Sequence, residues 1–280
     1  MLNPDAPLLS GDALRERFSA LDTFLLALQS IWREKPFIQQ QSNWEADYPE
    51  LSIWLRARSL ADAEACHANP YVLSAPQPFA DWAQQAQDLS TPGSFPNTLL
   101  SQRPLRMQSG IAGRKWQQIK AFASAVHSGA GQSFADTKSW LDWCAGKGHL
   151  GRYLAWPNAH LECLEFNPEL VNSGQAISHK YLTHAQHRLC DVMSSESSAS
   201  LQQAGAVIAL HACGDLHTHL VRRVSAQQAA ALALAPCCYN RTQSEFYQPL
   251  SAQGQASALR LNRDDLGLPL TATVTATSRE

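Results

Sequence analysis

Gly146-Lys-Gly-His-Leu-Gly151 satisfies the spacing G-x-G-x-x-G, and Glu165 follows Gly146 by 19 residues. Glycines so placed let backbone approach a ligand without Cβ interference, and a helix starting there points its amide end at whatever sits above. A carboxylate about 20 residues on suits the hydroxyls of an adenosine ribose. By itself the pattern admits nicotinamide dinucleotides and S-adenosylmethionine alike. Asp142, just before the glycines, favours the second, because an acid there attracts the cationic amino group of a methionine moiety and repels a pyrophosphate. Asp191, at the end of a later apolar run, adds a further carboxylate to the set.

A second constellation is made of thiols and imidazoles. Cys144, Cys213, Cys237 and Cys238 fall at or just after apolar runs whose strands are expected to be neighbours, so four thiols are expected to gather at one rim with His149, His211, His217 and His219 close by. Three readings stay open for the cysteines: small wall residues of a cofactor pocket, zinc ligands, or nucleophiles. The wall reading is preferred and no metal is assigned, since the thiols come from separate strand ends without a C-x-x-C pair. Methyl transfer needs an in-line nucleophile about 3 to 3.5 Å away, and a base where that nucleophile carries a proton. The candidate catalytic residues are therefore His211 and Asp215 as bases, Cys213 and Cys237 as nucleophiles, and Tyr239 to orient an acceptor. Asp215 reads equally well as a helix N-cap before Leu216. An Asn/Asp-Pro-Pro-Tyr box, which serves amine methylation, is absent, and Pro236-Cys-Cys-Tyr239 is not a substitute for it.

These residues sit at the ends of short apolar runs: 140–144, 161–166, 187–191, 206–211 and 231–235. Between the runs, 148–155, 168–185, 195–203 and 216–228 are long enough for crossover helices. Such alternation predicts an α/β fold, a Rossmann-like doubly wound parallel sheet that binds ligands outside the carboxyl ends of its strands. The front of the chain differs. Leu14, Phe18, Leu21, Leu25, Leu28 and Trp32 recur three or four apart, the stripe of an amphipathic helix ending before Pro36. Further short helices are expected beyond it, with Trp32, Trp44, Trp54 and Trp82 as packing anchors. Ser90 to Asn97 is a cluster of turn residues. The expected organisation is a small helical N-terminal domain over 1–105 and a cofactor-binding domain over 106–280.

The 280 residues, 45% hydrophobic and 16% charged, exclude a disordered polyelectrolyte or a disulfide-stapled miniprotein. The net charge of -2 hides an asymmetry. Residues 1–88 carry 6 basic and 12 acidic side chains, the remainder 16 and 12. No carboxylate falls between Asp88 and Asp136, where Arg103, Arg106, Arg114, Lys115 and Lys120 cluster, a stretch that could meet phosphate or form a solvated helix face. Seven irregularly spaced cysteines, no signal-peptide layout and no apolar run long enough to span a bilayer together give a cytoplasmic expectation without membrane association.

The sequence resembles class I S-adenosylmethionine-dependent methyltransferases. More narrowly it is similar to proteins related to methyltransferase-like protein 25 and to the methyltransferase half of the glutathione S-transferase C-terminal domain-containing protein. The narrow likeness rests on Asp142-Trp-Cys-Ala-Gly-Lys-Gly-His-Leu-Gly-Arg152, Leu210-His-Ala-Cys-Gly-Asp-Leu216 and Ala235-Pro-Cys-Cys-Tyr239, and covers about residues 106–266. It implies a seven-stranded sheet and S-adenosylmethionine as cofactor. It implies cofactor contacts from Asp142, Cys144, Gly146, Gly148 and His211, a ribose contact from Glu165 and an adenine contact at or beside Asp191. His211 to Asp215 and Pro236 to Tyr239 would line the methyl-transfer face, where pyrimidine C5 methyltransferases also place cysteines. Cys144 stands where most such enzymes have the loop's first glycine. The chain also ends where relatives continue, so the closing strands are expected to be missing. The expected function is methyl transfer to an unidentified acceptor, RNA being favoured through the basic cluster and a protein acceptor remaining open. The alternatives are a non-catalytic module that binds RNA or protein and retains the cofactor, and an NAD-dependent oxidoreductase.

Overall fold

The computed structural model describes residues 8–34, 40–67, 71, 74–96, 100, 103–129, 134, 136–181, 184–227 and 231–269. They divide into two compact units, Met1–Ser94 with Ser251–Arg260, and Phe95–Leu250 with Leu261–Glu280.

The first unit is helical: α1 (Gly11–Ala27), α2 (Gln29–Trp32), α3 (Pro49–Arg56), α4 (Leu60–His67) and α5 (Phe79–Ser90). The single helix expected before Pro36 breaks at Leu28, whose backbone leaves the helical region, and Trp32 Nε1 then donates back to Leu25 O at 2.8 Å. Its aromatic side chains pack on one another, Phe79 lying 4.7 Å from Trp82 and 5.2 Å from Tyr48 between ring centroids. Edge-to-face contacts of this kind are how large rings fill the space between short helices. A short helix, Ala252–Ala256, returns to this unit, and Ser257 Oγ there donates to the Asp22 carboxylate. Nothing in the sequence pattern announced that return.

The second unit opens with α6 (Gly113–Gly129). The strands are β1 (Ser139–Trp143), β2 (His160–Glu165), β3 (Ala185–Leu189), β4 (Ala206–Leu210) and β5 (Ala231–Ala235). They form one all-parallel sheet in the order β3-β2-β1-β4-β5. The crossovers are α7 (His149–Ala155), α8 (Pro168–Tyr181), α9 (Ser198–Gln203) and α10 (Asp215–Gln227). This is the doubly wound arrangement expected from the alternating runs. An all-parallel sheet must be covered on both faces, and side chains alternate accordingly. Trp140, Leu161, Ala206 and Ile208 pack with Ile119, Ala123 and Val126 of α6 and with Leu150, Tyr153 and Leu154 of α7. Leu141, Trp143, Val207 and Ala209 pack on the other face with Leu201 of α9 and with Leu220 and Val224 of α10. The strand order reverses between β1 and β4, so their carboxyl ends diverge into loops on opposite faces and leave a crevice.

Beyond β5 the described residues form one isolated antiparallel bridge, Phe246 to Asn262. The expected loss of closing strands concerns the stretch after 269, which lies outside the described residues. No described helix is long and apolar enough to cross a membrane.

Candidate active site

Among the described residues, two other than glycine have positive φ, and both stand at the carboxyl edge of neighbouring strands: Cys144 (φ 58) after β1 and His211 (φ 68) after β4. Left-handed backbone costs an L-residue about 1–2 kcal/mol, and such strain collects at functional sites. Cys144 thus occupies a glycine position in conformation as well as in motif. Gly146 (φ 59) and Gly148 (φ 70) continue the loop into α7. They differ in surroundings. A Cβ on Gly146 would meet nothing within 4 Å, whereas one on Gly148 would lie 2.5 Å from His187 Cε1 and 2.9 Å from Cys163 Sγ. Gly148 is a packing requirement, and Gly146 borders open space.

Glu165 at the end of β2 fixes the loop from the side. Its Oε2 accepts from Gly146 N at 2.8 Å and its Oε1 from Asn167 N at 3.0 Å. A carboxylate offers about four acceptor positions, so capacity remains for ribose hydroxyls. Asp142 is placed differently from the expectation of a carboxylate presented to a ligand. It is only 2% exposed, and its Oδ2 accepts from Gly151 N at 2.9 Å beneath the loop. Burial pushes its carboxyl up to about 7, against the Gly151 hydrogen bond and the charges of Arg152 and Lys115. Asp191, beyond β3, uses Oδ1 to accept from Met193 N at 2.9 Å and is exposed at the rim.

Arg152, His149 and His187 support the loop from below; the sequence offered His149 only as a neighbour of the thiols and gave Arg152 and His187 no role. Arg152 is 1% exposed and donates to Lys147 O, to Ser178 Oγ at 3.1 Å and towards His149 Nδ1 at 3.2 Å. His187 Nε2 pairs with Ser178 Oγ at 2.8 Å, its ring held between Gly148 and Gly174. Burial, reinforced by the Arg152 charge, lowers both imidazoles to about 4. The Gly148-x-x-x-Arg152 spacing in a motif-bearing helix was the only hint, and it does not say which side chains the guanidinium meets.

On the β4 side, His211 N donates to Ala235 O at 3.0 Å and its Nε2 pairs with Gln118 Oε1 of α6 at 3.1 Å. Burial, then the charge of Lys115, lowers the His211 imidazole. The Lys115 charge also bears on Asp142 and His149. Arg114 and Lys115 are exposed and Lys120 half-buried. Arg103 is engaged elsewhere, its guanidinium 5.0 Å over the Tyr153 ring and its Nε donating to Tyr153 O at 3.0 Å. The Arg106 side chain lies outside the described residues. Asp215, the first residue of α10, accepts from Gln243 N at 2.8 Å through Oδ2, and its own amide donates to Arg241 O at 3.1 Å. It clasps two loops together, which a base free in the crevice would not do.

The thiols converge as the strand order requires. Cys213 Sγ lies 3.0 Å from Cys237 Sγ and accepts from the amides of Cys237 and Cys238 at 3.3 and 3.2 Å. Burial alone would raise the Cys213 thiol; hydrogen bonds from Cys237 and Cys238 outweigh it and hold Cys213 below the ordinary thiol range. Cys237 moves the opposite way, up to about 12, through burial and its sulfur neighbours. Cys144 is likewise pushed up to about 12, chiefly by burial and then by the Glu165 and Asp142 carboxylates. Of the three, Cys213 is the thiol whose anion the site favours. Tyr239 meets the His217 ring edge-on at 5.5 Å, and burial raises its phenol.

Residues 114–245, a little under half of the chain, match the model of a methyltransferase domain. The match begins at Arg114 and so takes in α6, all five strands and the clasped loops. Several solved structures are similar to this chain over part of its length. One is magnesium protoporphyrin IX methyltransferase from Synechocystis PCC 6803 with bound SAH, 17% identical, covering 49% of this chain and 61% of that one with a TM-score of 0.32. Another is coclaurine N-methyltransferase bound to N-methylheliamine and SAH, 15% identical, covering 79% and 57% with a TM-score of 0.34. The chain spans less than two thirds of each. The strand order, rather than these likenesses, carries the fold assignment. No curated protein sequence matches the chain.

Proposed function

We propose that the second unit transfers a methyl group from S-adenosylmethionine to an acceptor brought over the rim of β4 and β5, with RNA as the acceptor class. The observation that carries this reading is the Glu165 carboxylate locked on Gly146 N beside a backbone position with open space above it, at the point where strand order reverses. When bound, S-adenosylmethionine supplies an electrophilic methyl on a sulfonium centre. The chain's own residues do the rest. Glu165 accepts from ribose hydroxyls with the oxygen capacity left over from Gly146 and Asn167. Asp142 acts through the loop, by fixing Gly151 N, and through its charge state. Asp191 stands at the rim where an adenine contact is expected. Lys115 offers a cation to a carboxylate or a phosphate.

His211 is neutral near pH 7 because burial and Lys115 lower it. With Gln118 Oε1 as the partner of Nε2, that nitrogen carries the proton and Nδ1 is left as the base for an acceptor that must lose one. Tyr239, 44% exposed beside the thiols, can donate to an acceptor atom. The exposed pair Arg114 and Lys115, in a stretch without carboxylates from 89 to 135, supports a polyanionic acceptor.

The test is calorimetric titration of the full chain with S-adenosylmethionine, S-adenosylhomocysteine and NADH, then methyl-label transfer to total RNA. Micromolar binding of the first two, lost on Glu165→Ala in a chain with unchanged circular dichroism, is expected. Binding of NADH in their place, or no binding at all, refutes the reading. Binding without label in RNA removes RNA as the acceptor.

A further inference from the structure

We propose that Cys213, Cys237 and Cys238 form a zinc site, three thiolates on one cation with the fourth position open to the adjoining cavity. The three sulfurs all lie within 4.8 Å of one another. Two of their separations are 3.0 and 3.5 Å. Zn–S bonds of about 2.3 Å in a tetrahedron set the sulfurs about 3.8 Å apart, so these two separations need to widen by less than about 1 Å to take the ion. This assignment is independent of whether the unit transfers methyl groups.

The cluster is built by two loops tied to each other before any ion arrives. His211 N donates to Ala235 O, Asp215 N to Arg241 O and Gln243 N to Asp215 Oδ2. Between these ties, a Cβ on Gly214 (φ 59) would fall 1.6 Å from Arg241 O, so only glycine lets the loops close to this distance. Preorganised ligands lose little freedom on binding, which is the condition for a tight site. The amides of Cys237 and Cys238 both donate to Cys213 Sγ, the kind of outer hydrogen bond that orients a ligating atom and spreads its charge. Soft thiolates select thiophilic cations over magnesium or calcium.

The same sulfurs could instead close a disulfide between Cys213 and Cys237, which must draw them from 3.0 Å to about 2.05 Å. That reading leaves the third thiol without a role and removes the charge that the two amides are placed to meet. Zinc uses all three. Its open position faces a cavity of about 560 Å³ lined by Met193, His211, Asp215, Arg241 and Thr242 among others. A water or an incoming polar atom can complete the tetrahedron there.

The experiment purifies the full chain with a thiol reductant and no chelator, and measures zinc by mass spectrometry of the metal. The metal-free protein is then titrated with zinc against a chromophoric chelator of micromolar affinity. One zinc per chain, held against that chelator, is expected. Cys213→Ser and Cys238→Ser should each weaken binding by at least about 100-fold. Cys66→Ser, in the other unit, should leave it unchanged. Cobalt in place of zinc should give thiolate-to-metal charge-transfer absorption in the parent and not in Cys213→Ser. The proposal is overturned if the folded, reduced chain yields all its zinc to the chelator, if Cys213→Ser retains parent affinity, or if the only ligand-free change is a disulfide formed on exposure to peroxide.

Discussion

Gly146 and Gly148 share a left-handed backbone two residues apart, yet replacing each by alanine should break different things. Gly146→Ala adds a methyl group into open space, so its stability cost is that of the left-handed backbone alone, about 1–2 kcal/mol. Gly148→Ala carries the same backbone cost and adds an overlap with His187 Cε1 at 2.5 Å and Cys163 Sγ at 2.9 Å. His187 cannot swing aside cheaply. Ser178 holds its Nε2 at 2.8 Å, and on the far side Gly174 leaves no room, since a Cβ there would also lie 2.5 Å from the ring. Overpacking of this kind costs about 1–3 kcal/mol, bringing Gly148→Ala to about 2–5 kcal/mol. Ligand binding should run the other way: at least tenfold weaker for Gly146→Ala, whose methyl fills the space a cofactor would enter. Hydrogen exchange followed by mass spectrometry on the β1 and β2 peptides reads local stability without interference from the helical unit. Calorimetry with S-adenosylhomocysteine reads binding. Equal losses of protection in the two variants would refute the packing argument, and undiminished binding by Gly146→Ala would refute the placement of the ligand.

Two further outcomes follow from the groups beneath the loop. Asp142 is raised from 3.8 to about 7, so between those values the folded chain holds a proton that the unfolded chain releases, and its contribution to stability falls as pH rises. His149 and His187 are lowered from 6.5 to about 4, so over that window the unfolded chain binds more protons and stability rises with pH. The terms oppose each other in the parent; Asp142→Asn should therefore steepen the gain in stability from pH 4 to 6.5, measured by urea unfolding, while His187→Gln should reduce it. An unchanged slope in both would contradict the assigned burial. Arg152→Ala leaves Lys147 O, Ser178 Oγ and His149 Nδ1 without their buried donor and should destabilise the second unit by about 3–5 kcal/mol. Arg152→Lys, which can satisfy only part of that set, should recover part of the loss in the same exchange measurement.

The sequence by itself determined what depends on local pattern. Apolar runs of five or six residues separated by helical stretches admit little besides a parallel sheet with crossovers, and the five strands lie within one or two residues of those runs. Positions at strand ends were legible for the same reason, because the end of an apolar run marks where the chain leaves the sheet. Glycine spacing also announced a tight loop between strand and helix, and the structure gives that loop its positive φ values. What depends on three dimensions was not legible. Asp142 and Glu165 look alike as strand-end acids, but one is sealed under α7 by Gly151 and the other braces the loop from its side. Only the neighbour relations of the sheet tell them apart.

The cysteines divide between the two: their gathering at one rim followed from the expected strand order, and their close contact did not. Along the chain 24 residues separate Cys213 from Cys237, with no C-x-x-C pair to suggest a shared ligand. Pairing of β4 with β5 brings the two loops together, and Gly214 lets them touch, so the sulfurs meet at 3.0 Å. Spacing along a chain reports shared partners only when the partners are local. Here strand order brings the thiols to one rim, and the tertiary fit at Gly214 decides how closely they meet.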